Sequence, residues 1–484
     1  MNRRVLMRCY RMPYKTLTVM IVSAMLQAAE AAPLKRQSSG DDQQDIMVTV
    51  YSNNYGLIRE VREITLPKGE VELEFQDVAG QIDPTSVAFK SLTRANQVRI
   101  LEQNYRYDLL NPATLLNRFI GREVKFIHYL ESDKGQVKQE RVGVLLSTQG
   151  GNVVRFGDEI EISPVGTISL AELPKDLLSR PTLIWLLENE YASEQQVETS
   201  YLTSGMNWHA DYVLVVNGDD TLLDLNGWVT LDNRSGASYR NATLKLIAGD
   251  VKRVSDPRAP QVMAEGMDAV RRSAAPAFQE RQFFEYHLYS LGRRTTLANN
   301  ETKQMSLLEG RGIKVRKELS VQSRVHPFSV ERSKQETKVD VSLQFENSED
   351  NELGMALPAG RVRVYKADAD GSLQLIGEER IDHTPRDERI ELHIGKAFDV
   401  VSERKQTSFR RIGDRSSMIS YQIQLRNHKD EKVSVKLIEV FPGDWTITNR
   451  SRNFREEDSR TIEFEVEVPP SGEEQVSYTA TVSW

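Results

Sequence analysis

The chain has 484 residues, 39% hydrophobic and 27% charged, with a formal net charge of -7. That length allows about two to four domains with buried cores, and the acidic balance excludes a broadly basic nucleic-acid or anionic-membrane footprint. The single cysteine, Cys9, excludes a disulfide framework and a multi-thiolate metal site.

Taken in order, Arg3, Arg4, Arg8, Arg11 and Lys15 precede an uncharged run from Thr16 to Ala29, followed by Ala29-Glu30-Ala31. A basic start, a short apolar run and small residues predict a secretory signal peptide over 1–32, cleaved near Ala31, rather than a membrane span. Without its five basic and one acidic residues, the net charge moves from -7 to -11 and the only cysteine is lost. No membrane span is expected in that mature chain. Residues 33–45, PLKRQSSGDDQQD, read as a flexible leader.

A first β domain is expected over 46–115. Its clearest strand is Glu70 to Phe75, with Val71, Leu73 and Phe75 on one face and Glu70, Glu72 and Glu74 on the other. Residues 116–185 carry short strands between glycine-containing turns and read as a small barrel-like insertion. The core β-sandwich is expected over 186–417. Its densest part is 206–251, where Tyr212, Leu214 and Val216 alternate with Val213 and Val215. Asn217-Gly218-Asp219-Asp220 then turns, and Asn226-Gly227 gives a hairpin signal before Trp228, Thr230 and Asp232. Four strands at about ten-residue spacing predict an antiparallel meander.

After this the composition shifts to Ala, Arg and Pro, and a mobile insertion is expected over 252–282, with one helix around 262–272. Strands resume to 417, including Lys338 to Phe345 with Val339, Val341, Leu343 and Phe345 on one face. Residues 418–484 suit an immunoglobulin-like unit, with Ile462, Phe464, Val466 and Val468 inward and Val476, Tyr478, Ala480 and Val482 sharing a face. The fold class is therefore all-β: several antiparallel sandwiches with a small barrel-like insertion and an immunoglobulin-like C-terminal unit.

The run Tyr201 to Gly205, Trp208-His209-Ala210-Asp211-Tyr212, Gly227-Trp228-Val229 and Asn233 to Gly249, with Phe284 to Tyr289, Leu357 to Gly360 and Asp444-Trp445, resembles a bacterial family. It is similar to the C-terminal domain of unknown function of mucoidy inhibitor A-like proteins, over roughly residues 46–484. That resemblance implies a β fold and carries no agreed activity. Proteins of that family often hold a coiled coil between their halves, but residues 115–181 show no sustained heptads. An exported, periplasmic cell-envelope protein is the expectation.

The chemistry-bearing residues are sparse. Seven histidines lack the spacing that puts two metal ligands on one helix face. Asp219-Asp220 with Asp224 and Asn226-Gly227 is superficially like a calcium loop but ends without a glutamate. Nucleophile-elbow and phosphate-loop motifs do not occur. No catalytic residue, metal ligand or cofactor is assigned, and the positions singled out are Trp208, His209, Asp211, Trp228 and His287. The sequence favours a non-enzymatic binding or assembly module for an envelope protein or glycan, with no nucleic-acid partner. The competing expectation is a carboxylate-dependent hydrolase of envelope polysaccharide or peptidoglycan. A hydrolase predicts a deep cleft with two carboxylates about 5–10 Å apart, whereas a binding module predicts a shallow surface bearing aromatics.

Overall fold

The computed structural model describes residues 32–106, 112–132, 135–172, 180–249, 251–252, 278–331 and 333–484. The expected signal segment with Cys9, and the expected helix around 262–272, lie outside these residues. The molecule is multi-domain and nearly all β, with mixed sheets in which antiparallel pairing dominates. Parallel pairs also occur, among them Met206–Val216 with Gly360–Ala367 and Tyr239–Ala248 with Gln43–Tyr51. The sandwiches expected as antiparallel are antiparallel-rich mixed sheets, because strands far apart in the chain enter one sheet side by side.

The first unit is built on a central sheet whose order is Phe278–Phe283, Tyr286–Leu291, Tyr239–Ala248, Gln43–Tyr51, Tyr55–Leu66, Ser193–Ser204 and Ala88–Ser91. Two further sheets pack on it. In one, Leu34–Ser38, Gly69–Gln76, Thr182–Asn189 and Val98–Arg106 contribute Trp185, whose ring lies 4.8 Å from that of Phe89. In the other, Glu301–Lys314, Leu222–Asn233, Met206–Val216, Gly360–Ala367 and Leu373–Ile381 contribute Trp208, which packs 6.2 Å from Tyr289. One hydrophobic core runs through all three sheets, from Ile46 to Leu392. The separate 46–115 and 186–417 units expected from sequence therefore share a single core.

The leader reading is also corrected. Leu34–Ser38 is an edge strand parallel to Gly69–Gln76, and residues from Gln43 onward already belong to the central sheet. Lys35 Nζ reaches Glu72 Oε1 and Gln37 Nε2 reaches Glu74 Oε2, both at 2.7 Å. Four of the five residues are exposed, so this strand has no apolar period to read.

Asn226-Gly227 does not turn. Leu222–Asn233 is one strand, and Gly227 faces Tyr212 across the ladder. A Cβ there would lie 3.1 Å from Leu308 Cγ and 3.3 Å from Tyr212 Cε1, so the glycine serves close approach within the sheet. The next strand, Tyr239–Ala248, crosses to the central sheet, which ends the expected meander after two strands.

The insertion is an open five-stranded sheet, Glu159–Ile162, Val153–Phe156, Gly135–Ser147, Glu123–Ser132 and Thr167–Ser169. Its outermost strands do not pair with each other, which corrects the barrel-like expectation. Phe119, Val124, Phe126, Leu145 and Val154 form its core beside the helix Pro112–Arg118. Part of the expected mobile insertion, Phe278–Phe283, is a strand antiparallel to Tyr286–Leu291, and residues 253–277 lie outside the described residues.

The last unit extends well before residue 418. Its nine-stranded sheet recruits Arg316–Arg324, Gln335–Glu346 and Arg389–Gly413 alongside Ser416–Asn427, Val433–Val440, Thr461–Val468 and Glu473–Ser483. The sheet folds over, bringing the Phe464 and Tyr478 rings within 5.8 Å although their strands are not ladder neighbours. Gln335–Glu346 and Arg389–Gly413 serve both cores: Leu343, Phe345, Ile390 and Leu392 lie in the first, Val339 and Val400 in the second. Register shifts at Lys338/Asp340 and Val341/Ser342 re-aim side chains between them.

Candidate functional site

Alternation along Met206–Val216 sends Trp208, Ala210, Tyr212, Leu214 and Val216 into the core and leaves His209 and Asp211 on the solvent side. Trp208 is 2% exposed and its Nε1 donates to Ile247 O at 3.2 Å. It is thus a core residue that ties two sheets together. His209 and Asp211, two residues apart on one face, meet directly: His209 Nε2 lies 3.2 Å from Asp211 Oδ2. Thr230 Oγ1, on the neighbouring strand, donates to the same oxygen at 2.6 Å, and Gln304 Nε2 donates to Thr230 Oγ1 at 3.1 Å. Burial pushes the Asp211 carboxyl up, but the hydrogen bonds from His209 and Thr230 outweigh it and hold the group below the ordinary aspartate value.

Trp228 stands opposite Asp211 in the ladder, half-buried on the same outward face. Across the parallel pairing, Asp211 is in register with Arg361, and Arg363 lies one outward position further along. Glu378 on the next strand accepts from Arg363 Nε at 2.9 Å and lies 3.9 Å from Arg361 Nε. This five-stranded face is therefore a solvent-facing array of tryptophan, histidine, carboxylates and guanidinium groups.

The structure brings together His209, Asp211 and Trp228 from the sequence-derived set, and not the other two. Trp208 points the opposite way. His287 belongs to the central sheet, where Nδ1 lies 2.7 Å from Glu280 Oε1. No family model and no curated protein matches this chain.

The calcium-like stretch has a different explanation. The Asp220 carboxylate is held by the ammonium groups of Lys317 and Lys366, and Lys366 Nζ also donates to Gly218 O at 2.9 Å. Two lysines thus supply the positive charge within the turn. Among the described residues, no three His, Cys, Asp or Glu side chains converge as metal ligands would, and no helix is long and apolar enough to cross a membrane. An open polar cavity of about 440 Å³ is lined by Arg450, Ser451, Arg452, Asn453 and Glu465, which includes one carboxylate where a hydrolytic pair needs two.

Sequence reasoning missed two buried ion pairs. In Tyr55–Leu66, Glu60 and Arg62 share the inward phase of Ile58, Ile64 and Leu66, and Arg62 Nε donates to Glu60 Oε1 at 2.7 Å. The Arg62 guanidinium also sits 3.5 Å from the Phe75 ring centroid. In the C-terminal core, Arg404 lies against Glu439. Glu60, Arg62 and Glu439 were visible as charges in the apolar phase of an alternating strand, whereas Arg404 shares its inward phase with the polar Ser402 and Gln406. Arg361 and Arg363 were missed for another reason: the strand beside them is about 150 residues away in the chain, and nothing local announces it.

Proposed function

We propose that this chain is an exported cell-envelope protein of the mucoidy inhibitor A-like type that works as a non-enzymatic binding module. The observation that carries the reading is the outward face of the sheet containing Met206–Val216, where Trp228 stands among His209, Asp211, Thr230, Arg361 and Arg363. A half-buried aromatic surrounded by hydrogen-bonding groups on the open face of a sheet suits recognition of an extended partner rather than chemistry in an enclosed cleft. The N-terminal basic and apolar pattern supports export, and the resemblance over 46–484 supports an envelope role.

The test is a crosslinking capture from an envelope extract with residues 33–484, beside the same chain carrying Trp228→Ala and Arg361→Ala. A protein or glycan captured by the first chain and lost with the second is the expected result. Capture that is unchanged by both substitutions counts against this face.

A further inference from the structure

Resting on the reading of this face as a ligand platform, we propose that its ligand is an acidic glycan, a polymer of carboxylated sugars lying across the strands with one ring on Trp228. The ladder registers align Ser306, Trp228, Asp211, Arg361 and Arg380 in one row across all five strands. At about 4.8 Å between strands, that row is roughly 19 Å long. On one side it is bordered by Gln304, Thr230 and His209, and on the other by Glu309, Asn226, Val213, Arg363 and Glu378.

Charge selects the ligand. Three arginines stand on this platform against Asp211, Glu309 and Glu378, and each carboxylate is engaged: Asp211 by His209 and Thr230, Glu309 by Arg311, Glu378 by Arg363. The Arg380 backbone N–H donates to Glu379 Oε1 at 3.0 Å, and its guanidinium has no acidic partner among the described residues. The guanidinium groups gather at the Gly360–Ala367 and Leu373–Ile381 end of the row, where Arg361, Arg363 and Arg380 stand against Glu378, and that end is complementary to an anion. The planar guanidinium forks match carboxylates bidentately, while the Trp228 ring offers an apolar plane to the C–H face of a sugar. Hydroxyl groups of the same ring fall within reach of His209 and Gln304, which stand exposed in the bordering row. A peptide adding as a strand would use a sheet edge, since the backbone groups of a sheet's interior strands are already paired.

The test is affinity electrophoresis of the full chain in gels containing polygalacturonate or dextran, with polyglutamate as a soluble competitor. We expect retardation by polygalacturonate and not by dextran, with polyglutamate competing about tenfold less well than soluble polygalacturonate. Trp228→Ala alone and Arg361→Ala with Arg380→Ala should each weaken retardation about tenfold, with unchanged urea midpoints showing that both variants fold. No retardation by polygalacturonate overturns the acidic-glycan assignment. Equal competition by polyglutamate, or full retardation of Trp228→Ala, overturns it as well by reducing the effect to general polyanion attraction. Retardation by dextran that Trp228→Ala abolishes would sink the acidic assignment while leaving the platform standing. Failure with every polymer, together with envelope capture unaffected by the same substitutions, would sink both.

Discussion

Replacing Arg404 by methionine should cost about 4 kcal/mol, because it strands a buried charge. Arg404 and Glu439 side chains are 2% and 1% exposed. The guanidinium Nε and Nη2 donate to Glu439 Oε1 and Oε2 at 3.0 and 2.8 Å, and Tyr478 Oη donates to Oε2 at 2.8 Å. The guanidinium also lies 3.5 Å from the Tyr421 ring centroid. Methionine fills similar volume and keeps an aromatic contact of about 0.3–1.5 kcal/mol, so packing changes little. What is lost is two charge-assisted hydrogen bonds, worth about 1.5–3 kcal/mol each, and the 3.5 Å ion pair with the partly exposed Glu331, leaving Glu439 with Tyr478 as its remaining donor in this cluster. Adding Glu439→Gln to that variant removes the stranded charge while keeping an oxygen for Tyr478, and should restore about 2 kcal/mol. Hydrogen exchange of the Val433–Val440 amides reads the stability of this unit separately from the other core. The reasoning fails if Arg404→Met costs under about 1 kcal/mol, or if Glu439→Gln is as harmful in the methionine background as alone.

Gly227→Val should destabilise the first unit by about 1–3 kcal/mol through overpacking against Leu308 and Tyr212, measured by urea unfolding; a neutral result would mean the sheet yields there. Asp220 is held below the ordinary aspartate value: burial pushes its carboxyl up, but the hydrogen bonds from Lys317 and Lys366 outweigh that. Its ionised form is thus the stabilising one, its contribution being present above the unfolded value and lost as pH falls through the folded one. Asp220→Asn should cost about 1 kcal/mol or less at neutral pH, and the gap to the native chain should close in acid; a gap that widens in acid would contradict this assignment. Phe284 is 76% exposed with φ +58°, a left-handed conformation that a bulky residue adopts at a cost. Phe284→Asn should raise stability by about 0.5–1 kcal/mol in thermal unfolding, and a loss of that size would show that the ring is needed where it stands.

The strands most legible in the sequence are those with one wet face. Glu70 to Phe75 buries Val71, Leu73 and Phe75, and Thr461–Val468 buries Ile462, Phe464, Val466 and Val468, as alternation predicts. Leu34–Ser38 was illegible because its partner recognises it through backbone and polar side chains. Asn226-Gly227 misled because the dipeptide that favours a tight turn also suits a strand interior where two neighbours press close. His209, Asp211 and Trp228 were found as members of one dense stretch, but the arginines that complete their face come from another part of the chain.

Alternation alone determined that this is an all-β protein and which side chains of each strand share a face, because period two follows from strand geometry whatever the partner. Tertiary structure alone decided which strands become neighbours, that Gln335–Glu346 and Arg389–Gly413 serve two cores, and that Arg361 stands beside Asp211. Strand pairing is made by backbone N–H and C=O groups that every residue except proline carries alike, so side-chain pattern does not identify the partner.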